Sequence, residues 1–347
     1  MSELPRSERI VVVTSSYPAH PDDPSGHFVA ADVARRCRAG HDVVVLTPAT
    51  TSSRFGIFGP KPPCGLTTGP SGERIARLPA GDAFGWPGAL ERLRERPTRA
   101  LGALSFVRAA RSFLRSSGPW NRLVAHFVLP SVWPITDGLE RSAHAFEAVA
   151  HGSDVRLLKR LPGALRERIA RTLAPFDLVC TSEELRNELE SALGAAIARR
   201  ARVAAPPIDG VRARGRADSR RELGVESSVR LLVIAGRLVR GKRADVALRA
   251  ARLVPGALTV VVGDGPERAA LERDFPEAAF VGLVGRARAL TWLAAADAVL
   301  VASREEGAPS VVREARALGT PVVALPSGDL RAWGATDPGL FVVSPSS

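Results

Sequence analysis

The chain has 347 residues, 45% hydrophobic and 24% charged, which excludes a disordered segment, a collagen-like fibre and a disulfide scaffold and leaves room for two cores. Forty-eight basic against 36 acidic side chains leave a formal charge of +12. Only Lys61, Lys159 and Lys242 are lysines, so 45 of the basic residues are arginine, and a lysine kept in so arginine-biased a chain is a sharper clue than any single arginine.

Cys37, Cys64 and Cys180 lie far apart, without metal-ligand spacing or an even count for pairing, which fits a reducing compartment. The opening MSELPRSERI lacks the apolar stretch of a secretory signal, and no run approaches the roughly 18 apolar residues of a membrane span. The expectation is a cytoplasmic protein that at most rests on the inner face of the cell membrane.

Short β-branched runs predict strands at 10–14, 42–46, 123–127, 146–150 and 177–181, with helical patterns between them. Apolar strands alternating with helices imply a parallel sheet covered on both faces. After the first strand, Pro24-Ser-Gly-His-Phe28 opens a helix, where Gly26 would let the backbone approach a phosphate. Residues 51–72, rich in Gly, Pro and Ser and carrying Phe55 and Phe58, read as a long surface loop. Within 91–122, eight arginines face two glutamates and are interleaved with Leu93, Phe106, Phe113, Leu114 and Trp120. Arg108, Arg111 and Arg115 share one helical face, so the stretch could rest on an anionic leaflet or receive a lipid diphosphate. A solvated helix coloured by arginine bias explains the same pattern equally well. The charge is uneven, +9 through Ala174 and +3 beyond it.

His151-Gly-Ser-Asp-Val155 follows the strand at 146–150. A histidine at the carboxyl end of a strand can contact a sugar hydroxyl, while Ser153 or Asp154 can cap the next helix, so His151 reads as functional and Asp154 as structural. His126, in Ala125-His-Phe-Val-Leu-Pro130, sits similarly and reads as part of the wall.

Residues 204–221 are rich in Pro, Gly and Arg with little apolar periodicity and read as a linker, dividing the chain into domains 1–205 and 206–347. A second series of strands is predicted at 230–235, 258–262, 279–281, 298–301 and 321–324. The fold class is therefore α/β, two doubly wound domains, and ligands of such domains lie at the carboxyl ends of strands, which predicts a site in a cleft between them.

Three segments of the second half carry chemistry. Ala235-Gly-Arg-Leu-Val-Arg-Gly-Lys-Arg243 places Arg237 and Lys242 where a strand opens into a loop and helix, the usual location for gripping a diphosphate. Val260-Val-Val-Gly-Asp-Gly-Pro-Glu267 is not GxGxxG, and Gly263 and Gly265 read as a structural turn. From Ser303 to Ala324 a strand end passes through Gly307-Ala-Pro309 into a helix, with Glu306 and Glu314 eight positions apart. Pro309 in the first helical turn would leave neighbouring N–H groups for a ligand, and Glu314 could accept from a diol such as ribose. No Asp-x-Asp, Walker loop or Cys/His zinc pattern is present, so any phosphates would be neutralised by protein groups rather than a metal.

Six segments taken in order resemble the retaining glycosyltransferases of the GT-B fold, family four: GHDVVVL at 40–46, HGSDV at 151–155, TSEEL at 181–185, AGRLVRGK at 235–242, VVGDGP at 261–266 and EGAPSVVREARALGTPVVA at 306–324. The opening of the chain and AHFVLP look like members that build exopolysaccharide or lipid-linked oligosaccharide. The resemblance implies two facing Rossmann-like domains, an acceptor bound by the first and a nucleotide sugar by the second. It implies that Arg237 and Lys242 stabilise the donor diphosphate, that Glu314 holds ribose, and that Glu306 with Gly307, Ala308, Pro309 and Ser310 holds the transferred sugar. His151 would contact that sugar, and Gly26 would approach the diphosphate. No cofactor is implied; a UDP-sugar is the expected donor and GDP-mannose the next, with a glycan or polyprenyl-linked acceptor. The sequence departs from the family at Arg243, where glycine is common. It also has Pro326-Ser-Gly-Asp-Leu330 where relatives carry Gly-Gly-x-x-Glu, and it ends after one more apparent strand, which leaves a shortened or fragmentary C-terminus as an expectation. A nucleotide-sugar epimerase or phosphorylase on the same fold, or a catalytically silent sugar-binding subunit, are the alternatives. Nucleic-acid binding rests on the charge alone, since no recognisable module accompanies it.

Overall fold

A computed structural model describes residues 7–20, 23–49, 63–85, 88–139, 143–208, 211, 215–304 and 306–344. The chain forms two compact units, the first ending at Pro207 and the second starting at Ile208. Each is a Rossmann-like sheet flanked by helices.

The first sheet contains β1 (Arg9–Thr14), β2 (Asp42–Ala49), β3 (Gly65–Thr68), β4 (Arg74–Pro79), β5 (Trp120–His126), β6 (Ala143–Ala150), β7 (Phe176–Cys180) and β8 (Arg202–Val203), in the order β3-β4-β2-β1-β5-β6-β7-β8. All neighbours are parallel except β3 and β4. In β1, Val11 and Val13 enter one core while Ile10 and Val12 enter another on the opposite face, which is why the strand reads as an unbroken apolar run. The second sheet contains β9 (Arg230–Ala235), β10 (Ala257–Val262), β11 (Ala279–Gly282), β12 (Ala298–Val301), β13 (Val322–Ala324) and β14 (Leu340–Val342), in the order β11-β10-β9-β12-β13-β14, parallel throughout. Its strands likewise feed two cores, Val233 one and Ile234 the other.

Besides β4 and β8, which no predicted strand covers, three segments differ from the sequence expectation. The expected loop 51–72 contains β3, whose four exposed residues give no burial pattern to detect. Phe55, Phe58 and Lys61 lie outside the described residues. The expected linker contains a helix, Arg216–Leu223, fixed by an arginine rather than by an apolar stripe. Arg220 is buried and donates to the carbonyls of Ala295, Glu226, Ser227 and Val229 and, at 2.6 Å, to Asp297. Asp297 in turn accepts from the backbone N–H of Leu231 at the start of β9.

The helix Ala100–Ser117 turns its aromatics inward: Phe106 and Leu114 are buried, and Trp120 is buried beneath the guanidinium of Arg9. Four of the eight arginines of 91–122 serve the fold. Arg92 and Arg99 pair with Asp82, Arg122 pairs with Glu8, and Arg111 donates to the carbonyls of Pro134, Ile135 and Asp137. What this segment exposes is Arg94, Arg96, Arg108 and Arg115 with Leu101 and Leu104, so its aromatic residues are core and not a membrane-facing surface. Among the described residues no helix is long and apolar enough to cross a membrane.

Candidate active site

In the second unit, the loop after β9 is held by its neighbours' backbones. Gly236 donates to the carbonyl of Val262 and Leu238 to that of Asp264. A Cβ on Gly263 would lie 1.9 Å from the Gly236 carbonyl oxygen and one on Gly265 2.3 Å from that of Leu238, so both glycines answer to close backbone packing. The loop then tightens into a single turn, Arg240–Lys242, before the helix Ala244–Ala251. Arg243 joins them at φ 51°, a left-handed conformation that explains why glycine suits this position.

Lys242 Nζ is paired with the Glu306 carboxylate. Two further ties bring the loops together: Arg304 N–H donates to the Gly241 carbonyl at 3.0 Å, and Glu306 N–H donates to Ser327 Oγ at 2.9 Å. Burial alone would raise the Glu306 carboxyl, but Lys242, the Ser303 hydrogen bond and the charge of Arg237 hold it below the usual carboxylate range. A Cβ on Gly328 would fall 2.3 Å from the Glu306 carbonyl oxygen, so the 326–330 loop packs directly against the glutamate's backbone.

The helix Ser310–Ala317 starts one residue later than expected: Pro309 is its N-cap, with an extended ψ of 115°, rather than a member of the first turn. Gly307 is buried, while Ala308 and Ser310 are partly accessible. Glu314 is buried one turn into this helix, where Arg286 Nη1, from the first residue of the helix Arg286–Ala295, donates to it at 2.6 Å. The structure therefore gathers Arg237, Lys242 and Glu306, and it gives Glu314 an arginine partner that sequence spacing did not indicate.

In the first unit, Gly26 has φ 68° and caps the helix His27–Arg38. A Cβ there would lie 2.4 Å from the Ser16 carbonyl oxygen, so the glycine is required by packing against the end of β1. That helix presents Phe28, whose ring lies 4.7 Å from the His151 ring, with Phe127 at 4.6 Å from the same imidazole. Asp154 is structural, as its buried carboxylate accepts from the N–H groups of Val128, His151 and Gly152 and so ties the ends of β5 and β6 together. His126 is more than wall. Its Nδ1 lies 3.0 Å from His151 Nε2 and its Nε2 3.4 Å from Asp32 Oδ2. Asp32 also binds Arg35 and Arg36, and Arg36 continues to Glu147. Burial, reinforced by His126, pushes the His151 imidazole well below the ordinary histidine range, so the ring is neutral near pH 7.

Residues 229–346 match the family model described as "Glycosyl transferases group 1". This match covers most of the second unit. Over 92% of its length it is 26% identical to a putative teichuronic acid biosynthesis glycosyltransferase, TuaC, of Bacillus subtilis, covering 81% of that protein. A stretch of 127 residues is 35% identical to a D-inositol 3-phosphate glycosyltransferase of Mycolicibacterium gilvum; it is 33% of this chain and spans only 28% of that relative. The fold is that of GT-B glycosyltransferases. A sucrose-phosphate synthase from Thermosynechococcus elongatus superposes with a TM-score of 0.70 at 18% identity, covering 98% of this chain and 86% of that one. Anabaena HepE, solved with UDP-glucose, superposes at 0.64 and 17% identity with the same coverage.

Around these residues, sequence reasoning missed Arg286, Ser303, Ser327, Asp32 and the bonding role of His126. Only the Asp32 contact with Arg35 and Arg36 has a local signal, the three- and four-residue spacing on one helix. Ser303 is three residues from its partner Glu306, in a loop without a repeating pattern, and the others meet their partners across long stretches of sequence.

Proposed function

We propose that the protein is a retaining, metal-independent glycosyltransferase that moves a hexosyl unit from a nucleotide-diphosphate sugar to a glycan or lipid-linked acceptor. The observation that carries this reading is the meeting of two cations, Arg237 and Lys242, with one carboxylate, Glu306, at the carboxyl ends of β9 and β12. A sugar diphosphate needs that combination: positive charge for the departing phosphates and an acceptor for sugar hydroxyls. Further support comes from the group 1 match over this unit and from the UDP-glucose found with HepE, which make a UDP-sugar the first donor to try and GDP-mannose the second. TuaC's name favours a polysaccharide acceptor. In this reading the cation role falls to Arg237 and Lys242.

In this mechanism the donor's own phosphate accepts the acceptor proton as the glycosidic bond ionises on the same face. Charge then grows on the leaving diphosphate, where Arg237 and Lys242 are already in place. Glu306 and the backbone of Gly307, Ala308, Pro309 and Ser310 hold the sugar. Glu314, steadied by Arg286, holds ribose, His151 meets a sugar hydroxyl, and Gly26 brings the backbone near the diphosphate. A thermal-shift screen of nucleotide sugars tests the donor class, because a ligand of the native state raises its melting temperature by mass action. A rise with UDP-glucose or GDP-mannose, followed by a product of retained anomeric configuration, is expected; an inverted product would sink the mechanism.

A further inference from the structure

Two histidines in contact are an unusual thing to bury beside a carboxylate, and their hydrogen-bond polarity can be worked out. Asp32 is ionised: burial alone would raise its carboxyl, but the hydrogen bond from His126, the charge of Arg36 and the hydrogen bond from Arg35 hold it well below the ordinary range. An ionised carboxylate only accepts, so the His126 Nε2 that lies 3.4 Å from it must carry a proton. In a neutral ring Nδ1 is then bare, and the 3.0 Å contact with His151 Nε2 is made only if His151 donates. The opposite polarity would turn a lone pair of His126 toward the carboxylate. A doubly protonated His126 would add a third positive charge beside Arg35 and Arg36, which Asp32 and Glu147 already balance.

We propose that His126, anchored by Asp32, is a positioning residue that fixes His151 in the Nε2–H tautomer, so that His151 offers its bare Nδ1 as a hydrogen-bond acceptor to a hydroxyl of the transferred sugar. The inference rests on the assignment of His151 to that sugar. The surroundings hold the ring in register: His126 stacks on His151 with 5.3 Å between centroids and 21° between planes, and Phe28 and Phe127 pack against the same imidazole. Phe127 itself has φ 72°, a strained conformation for a phenylalanine, maintained directly after the positioning histidine. His151 retains an accessible part, and among the described residues its Nδ1 makes no hydrogen bond. A site built to accept from an O–H discriminates against a donor whose hydroxyl is replaced, because fluorine or hydrogen at that position cannot donate.

The test is a long-range proton–nitrogen correlation spectrum of the 15N-histidine-labelled full chain at pH 7.5, with His126→Leu and His151→Ala used for assignment. The expected result is Nε2–H for both rings. A Nδ1–H signal for His151, or a doubly protonated His126, overturns the proposal without reference to activity. In His126→Leu the His151 signals should become a tautomer mixture. Turnover of UDP-glucose or GDP-mannose, with water as acceptor, should then fall in kcat by about 10- to 100-fold with little change in KM, the range seen when an orienting partner is removed from a functional histidine. His126→Asn, whose amide oxygen can replace Nδ1 as acceptor, should recover most of the loss; equal defects in both variants, with native melting temperatures, would count against a positioning role. Full turnover in His151→Ala would remove the sugar assignment while leaving the tautomer result intact, so the two ideas fail separately.

Discussion

The polar centres of the two units are built on different electrostatic plans. In the first, the contacting imidazoles of His126 and His151 hang from a buried ion network, and what is fixed is the geometry of hydrogen bonds. In the second, a lysine and a glutamate face each other with 29% and 12% of their side-chain surfaces exposed, and what is fixed is charge. On the function proposed above, the difference would answer two demands of glycosyl transfer: hydroxyls must be told apart, and a leaving diphosphate must be stabilised.

Removing the charge centre should give the largest effect. Lys242→Ala is expected to lower kcat/KM by roughly 10²- to 10³-fold, the loss typical of one preorganised group facing developing charge. Lys159→Ala, at an exposed position, should leave it unchanged. Equal rates for the two variants would dissolve the contrast between the units. Next in size is Arg286→Ala, which strips a buried carboxylate of its cation and should lower the unfolding free energy by about 3 kcal/mol, read by chemical denaturation. Glu314→Gln in the same background should return part of that loss.

Acid should separate the two centres. The folded His151 lies below its ordinary 6.5, so the unfolded chain takes up the proton first; the stability it contributes is complete above about 6.5 and declines as pH falls below it. Glu306 also lies below its ordinary 4.5, so the stability from its pairing with Lys242 persists down to about 4.5 and is lost only as pH falls through the folded value. Melting curves at stepped pH should therefore show an early component that His151→Phe abolishes and a late one that Lys242→Ala abolishes. A shared onset would mean that the two centres do not titrate independently. The smallest effect should come from Arg243→Gly, which relieves a left-handed backbone and should stabilise the second unit by about 0.5–1 kcal/mol after glycine's own entropic cost, seen as a small rise in melting temperature.

Most strands were legible because β-branched runs in a parallel sheet are apolar on both faces; β9 and β12 coincide with their predicted limits. The strand β3 was not, since an exposed four-residue edge carries no such pattern. Motif residues at strand ends, Arg237, Lys242, Glu306 and His151, could be singled out as candidates because the doubly wound architecture assigns ligands to those positions. Their partners were not. Arg286 reaches Glu314 across 28 residues and His126 reaches Asp32 across 94, and only tertiary structure determines which polar groups share a buried space. The aromatics of 91–122 misled for a related reason: residue type gave an amphipathic pattern, but which face would be covered depended on packing against the sheet.

The buried Arg220 bears on where an independently folding second half can begin. Family similarity starts at residue 229, but the guanidinium that closes three carbonyls of the 226–229 turn, a fourth at Ala295 and the carboxylate of Asp297 lies upstream. A fragment cut at the start of the recognisable family sequence would lose this clasp and leave those acceptors to water or to nothing. One that keeps the helix Arg216–Leu223 retains it. Homology and autonomy thus have different boundaries in this chain, separated by a single arginine-rich helix with almost no hydrophobic signature.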